Sequence, residues 1–245
     1  MPYFCGMKKT TFADLVIFEN DRVVVVNKPP MLSSLDERFT EAPSVLRLAK
    51  AHNADLRLCH RLDKETSGAL ILAKDDEAYR FISMEFEHRR VIKKYHAIVE
   101  GIHQFEMEEV DLPIGTGRNG LMRIDFGGGK DALTYFQSLN YFRHYTLVEC
   151  TPITGRTHQI RVHLAARKAI IANDTAYGAK VPYLSELKRR FNLGKFEEEK
   201  PMIHRFALHA RSIKFRCSET EEVSAEADYP NDFKVFLKQL EKYDS

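Results

Sequence analysis

The sequence has almost no net charge. Its 37 Lys and Arg are matched by 35 Asp and Glu, which leaves +2 over 245 residues. That excludes a chain held on nucleic acid by bulk charge, but not one with a local basic cleft. Cysteine is scarce. Cys5, Cys59, Cys150 and Cys217 lie far apart and form no C-x-x-C pair, so free thiols in a reducing, cytoplasmic compartment are expected. No apolar run approaches the ~20 residues of a membrane span. The opening MPYFCGMKKTTF lacks the long apolar segment of a signal peptide. Metal-site patterns are missing despite ten histidines: His158/His163 and His204/His209 are each five apart, which does not put both on one helical face. There is no H-E-x-x-H or Cys/His cluster, and no metal is expected. The G-x-S-x-G elbow of one serine hydrolase class is also absent.

What is present reads as a soluble, globular chain, 44% hydrophobic and 29% charged, long enough for one large domain or two small ones. Residues 1–11 read as a loose leader. Leu15–Phe18 and Val23–Val26 read as β segments, the second stopped by Lys28-Pro29-Pro30. Ser44–Ala54 reads as a short amphipathic helix. Asp75–Arg90 is the clearest helix, with acids at its start, His88-Arg89-Arg90 at its end and an apolar stripe of Ala78, Phe81, Ile82 and Phe86. Arg89, Arg90, Lys93 and Lys94 then place four cations in six residues without an acid. Tyr95–Val99, Leu121–Phe126, Ala132–Leu139 and Tyr145–Cys150 alternate like strands. A run of strands without intervening helices argues for an antiparallel or mixed sheet.

Two glycine clusters invite a nucleotide reading and do not support it. Gly115-Thr116-Gly117-Arg118-Asn119-Gly120 fits G-x-G-x-x-G, but a strand-like segment follows where a helix is required. Gly127-Gly128-Gly129-Lys130 precedes Asp131, not the Ser or Thr of a phosphate loop. Both read as hairpin turns. Thr154–Thr157 reads as a turn and cap, and His158–Arg167 as a helix with Ile160 and Leu164 inward. Residues 179–200 are charged and partly helical. Glu219–Asp228 is acidic, and Phe233–Tyr243 reads as a terminal amphipathic helix.

The chain is organised around Arg57–Lys74, RLCHRLDKETSGALILAK. Asp63 is crowded by Arg61 and Lys64. Thr66-Ser67-Gly68 supplies hydroxyls, backbone donors and a flexible residue. The short apolar run 69–73 suits a buried strand, a rigid mount for a reactive side chain.

HRLDKETSGALILAK resembles the signature of RluA-type pseudouridine synthases. KKYHAIVEG (93–101) resembles the family's K-x-Y-x-A-x-V-x-G strand, and TPITGRTHQIRVHLA (151–165) its T-G-R-x-H-Q-I-R-V-H element. The chain departs from the family at 168–178, where both early glycines and a His-Pro are replaced while Asp174, Tyr177 and Gly178 remain. The resemblance implies a pseudouridine synthase fold: one α+β catalytic domain over 12–245, with a central mixed, largely antiparallel sheet flanked by helices. A separate N-terminal RNA-binding domain is not expected. It implies an RNA uridine isomerase acting on ribosomal or transfer RNA, without a cofactor, as a monomer. Asp63 would be the nucleophile or would remove a sugar proton. Arg161 would pair with it and favour its charged form. Tyr95 would stack on the uracil and help remove the carbon-5 proton. Arg61 would hold rearranged RNA; Thr66, Arg156, Leu208, Arg89, Arg90, Lys93 and Lys94 are further substrate-contact candidates. His60 reads equally as a ligand contact or a packed histidine. A two-carboxylate glycosidase is the nearest chemical rival, but nothing singles out a second carboxylate. A silent RNA-binding protein and a nucleoside hydrolase are the other readings.

Overall fold

The computed structural model describes residues 11–37, 42–194 and 197–245. The predicted leader therefore lies outside the described residues, apart from Thr11. In chain order the elements begin with β1 (Val16–Glu19), β2 (Val23–Lys28), α1 (Val45–His52), β3 (Arg57–Leu58), β4 (Ser67–Ala73), α2 (Asp76–Glu87), β5 (Ile92–Glu100) and β6 (Glu108–Asp111). They continue with β7 (Ile114–Thr116), β8 (Met122–Ile124), β9 (Leu133–Tyr141), β10 (Tyr145–Pro152), α3 (Gln159–Ala166), α4 (Leu184–Leu187), β11 (Leu208–Arg216), β12 (Glu222–Glu226) and α5 (Asn231–Tyr243). The architecture is α+β, with mixed, largely antiparallel sheet and flanking helices. Among the described residues no helix is long and apolar enough to cross a membrane. Two compact units emerge, one of residues up to Val91 with Ser212–Asp228, the other of Ile92–Arg211 with Tyr229–Ser245.

In the first unit β2 and β4 pair antiparallel, from Val23 opposite Ala73 to Lys28 opposite Gly68. Every residue of β4 is buried, as a continuous apolar run requires when both faces are covered. β1 adds to β2, β3 to β4, and β12 to the second half of β11. Asp75 caps α2 by accepting the Ala78 N–H at 2.7 Å. Ala78 and Ile82 then pack with Val23, Val25, Ala69 and Ile71. The helix is shorter than predicted because Arg89 adopts φ 58°, a left-handed residue that breaks the α path.

In the second unit β5, β10, β9 and β6 form antiparallel neighbours, with Tyr95 opposite Cys150. Ile98, Phe136 and Val148 share a core with Ile160 and Leu164 of α3 and with Phe233, Phe236 and Leu240 of α5. Sequence periodicity put only Ile160 and Leu164 of α3 inward. In the structure all of Gln159–Leu164 is buried, including Gln159, Arg161 and His163. The three polar side chains are satisfied by hydrogen bonds, so burial does not follow hydrophobicity there.

Candidate active site

Asp63 is partly exposed, on the loop entering β4. The backbone around it is pinned from several sides. Ser34 Oγ donates to the Leu62 carbonyl at 2.8 Å and accepts the Leu62 N–H at 3.0 Å. Lys28 is fully buried, and its ammonium donates to the carbonyls of Pro29 (3.1 Å), Leu32 (2.7 Å) and Lys64 (3.0 Å). The Thr66 N–H donates to the Asp63 carbonyl at 3.1 Å. His60 Nε2 accepts the Ile71 N–H at 3.1 Å, and its ring lies 5.0 Å from that of Phe86. Of the two roles open to His60, these contacts belong to the packed, hydrogen-bonded one. The residues flanking Asp63 are therefore held by hydrogen bonds to the backbone of the loop, a rigid mount for the side chain it carries.

In the second unit Arg161 projects from α3 into a buried pocket of partners. Its Nε and Nη2 donate to the two Asp174 oxygens, both at 2.7 Å. Its guanidinium carbon lies 4.3 Å from the Phe206 ring centre and 4.9 Å from that of Tyr177. A planar fork between two rings is a geometry that arginine satisfies and lysine does not. The helix is mounted by its neighbours in the motif. Gln159 accepts from Thr154 Oγ1 (2.7 Å) and the Arg156 N–H (2.9 Å), and donates to the Leu133 carbonyl and Thr134 Oγ1, both at 2.9 Å. One turn on, His163 Nε2 donates to the Leu112 carbonyl and Nδ1 accepts from Thr134, both at 3.0 Å. Burial holds this imidazole below its usual pKa. Tyr95 is partly buried on β5.

The cation cluster departs from its sequence reading. Lys93 is buried, with its ammonium 3.4 Å from the Thr154 carbonyl, and burial pushes it down to about 8. Strand alternation turns Lys93 and Tyr95 to one side of β5 and Lys94 to the other. Lys94 pairs with Glu149 at 2.9 Å, and Arg90 donates Nε to buried Glu85 at 2.8 Å. Glu85, five residues before Arg90, and Glu149, distant in sequence, thus reach a stretch that has no acid of its own. Arg61 and Arg89 are exposed. Arg156 donates Nε to the Asp131 carbonyl at 2.9 Å. Thr66 and Leu208 are buried. Lys28, Ser34, Gln159, His163 and Asp174 were not singled out as site residues by the sequence reading. For Gln159, His163 and Asp174 the signal was there, since they stand in the motif around Arg161 and in the retained Asp174–Gly178 stretch.

A pinned loop carrying Asp63, and a bidentate-held arginine on a buried helix, are features of a preorganised catalytic protein. A family model described as RNA pseudouridylate synthase matches residues 22–166, which include Asp63, Tyr95 and Arg161. The chain belongs to that family and is an isomerase of RNA. It is 32% identical over 239 residues to ribosomal large subunit pseudouridine synthase C of Buchnera aphidicola, covering 94% of this chain and 71% of the relative. To the protein of the same name from Vibrio vulnificus it is 34% identical, covering 88% and 65%. With ribosomal large subunit pseudouridine synthase D of Neisseria meningitidis the identity is 33%, covering 92% and 60%. The solved structure of human RNA pseudouridylate synthase domain containing 4 superposes with a TM-score of 0.71 at 27% identity, covering 94% of each chain.

Proposed function

We propose that this chain converts uridine to pseudouridine at particular sites in structured RNA, ribosomal RNA foremost and transfer RNA second. Residues 12–245 act as one catalytic domain, as a monomer in the cytoplasm. The observation that carries the reading is the family match over 22–166, within which the H-R-L-D, K-x-Y and Q-I-R-V-H elements stand intact. Ribosomal RNA comes first because the curated relatives are named for the large ribosomal subunit.

The bond between ring nitrogen 1 and the ribose breaks, the uracil turns, and ring carbon 5 bonds to the same sugar carbon. Carbon 5 loses its proton and nitrogen 1 gains one, so no cofactor is needed. Asp63 starts the reaction, either as nucleophile or by removing a sugar proton, and must be ionised in both roles. Arg161 pairs with it and favours that charge state. Tyr95 stacks on the base and takes the carbon-5 proton. A phenol titrates near ~10, so this works only on an acidic intermediate. The uridine must first leave its stack, at a cost of about a few kcal/mol. Arg61 holds the rearranged strand. The test is pseudouridine mapping across all RNA in cells with and without the gene. Loss of one or a few ribosomal or transfer RNA sites is expected. An unchanged map in cells that make the protein would sink the proposal.

A further inference from the structure

Phe126 is 80% exposed, more than any other exposed large hydrophobic residue described. A single exposed apolar side chain is ordinary; a backbone built to present one is not. The Asp125 N–H donates to the Pro113 carbonyl at 2.8 Å, and the Asp125 carbonyl accepts the Gly129 N–H at 2.9 Å. Asp125 Oδ1 accepts the Gly127 N–H at 3.2 Å. Lys130 and Ile114 exchange both backbone hydrogen bonds at 2.9 Å. A Cβ at position 129 would lie 2.3 Å from the Asp125 carbonyl oxygen, so the turn closes behind Phe126 only with glycine there. Gly129 is thus the glycine the turn requires, while positions 127 and 128 have room for a Cβ.

The hairpin of β7 and β8 has two unlike faces. Ile114, Met122 and Ile124 face inward and cluster with Val162 of α3, Ala132 and Tyr177. The Tyr177 hydroxyl donates to the Met122 carbonyl at 3.1 Å. The hairpin is therefore fixed to the helix that carries Arg161. Arg118, Arg123, Phe126 and Lys130 are all exposed. Of the two acids in the stretch, Asp125 binds inward to the turn, and only Asp131 is exposed.

We propose that residues 114–131 form an RNA-contacting element in which Phe126 stacks on an unpaired base and Arg118, Arg123 and Lys130 hold neighbouring phosphates. Every base offers a π-face, and phosphates supply the complementary charge, so an aromatic ring among cations suits single-stranded or looped RNA. The inference rests on the function proposed above, whose substrate is RNA. It adds where outside the reacting residues that substrate is gripped.

The test uses unmodified transcripts of large-subunit ribosomal RNA fragments, with binding measured at several salt concentrations and pseudouridine formation measured alongside. Phe126→Ala should raise Kd and KM about tenfold, with kcat within about twofold of wild type and the salt dependence unchanged. Phe126→Tyr should restore binding. Arg118→Gln with Arg123→Gln should reduce the slope of log affinity against log salt by about 1.5. Variants that fold by circular dichroism, yet bind and turn over like wild type, would overturn the inference and leave the enzymatic reading intact. A wild type that binds RNA but makes no pseudouridine would overturn the enzymatic reading, while the binding measurements on the variants would still decide the hairpin. A wild type that does neither would overturn both.

Discussion

Asp63 carries a proposal that one atom can test. Asp63→Asn keeps the shape of the side chain and removes the carboxylate. Turnover should fall below about a hundredth of wild type with RNA affinity largely kept, as measured by single-turnover pseudouridine formation beside a binding assay. Activity above that level would remove Asp63 from its proposed role. Arg161 makes a second test. With Nε and Nη2 both donating to Asp174, a lysine there retains the charge and loses the fork. Arg161→Ala should lose most activity and Arg161→Lys recover part of it. Asp174→Asn should destabilise the fold by about 3 kcal/mol, because it removes the charged half of a buried bidentate ion pair; denaturant titration measures this. A change below about 1 kcal/mol would mean that the pair contributes little to the fold.

At the scale of elements, the two active-site candidates share a device: buried polar side chains hold the backbone near them. Lys28 satisfies three carbonyls, one of them Lys64's, directly after Asp63. Lys28→Met fits the volume and strands those carbonyls. We expect a loss of about 3 kcal/mol and a drop in kcat larger than any rise in KM. A variant as stable and as active as wild type would show that the loop does not depend on the clip. The same logic explains which elements the sequence reading located. β2, β4, α2 and α5 follow their apolar patterns, because hydrophobic burial is the main term that builds them. α3 does not, because Gln159, Arg161 and His163 are buried by hydrogen bonds and charge pairing. Besides the nearby Thr154 and Arg156 that bind Gln159, those partners lie 13 to 29 residues away at Asp174, Leu133 and Thr134, and one, Leu112, lies 51 away.

The whole molecule should show these mounts in its acid sensitivity. Burial lowers the pKa of His163, and burial is also the leading cause for His96, outweighing Glu149 beside it. A lowered pKa means that the unfolded chain takes up these protons first as pH falls. The stability they contribute is complete above about 6.5 and is lost progressively below it. The melting temperature should therefore fall between pH 7 and pH 5.5, before most carboxylates titrate. His163→Gln should flatten the decline. An unchanged decline in that variant would show that His163 is not a source of it.

The sequence by itself determined the family, the sheet-rich α+β class and the identity of the candidate reacting residues. Those rest on local strings and on apolar periodicity, which need no knowledge of distant neighbours. It also located the glycine turns, since Gly115–Gly120 and Gly127–Lys130 fail the helix and Ser/Thr requirements of phosphate loops. Only the tertiary structure decided what surrounds these residues. It brought Asp174 to Arg161, Lys28 and Ser34 to the Asp63 loop, and Glu149 to a basic stretch with no acid of its own. It withdrew Lys93 from solvent and left Phe126 standing in it. Side-chain pairing and burial depend on which segments meet through space, and spacing along one chain does not encode that.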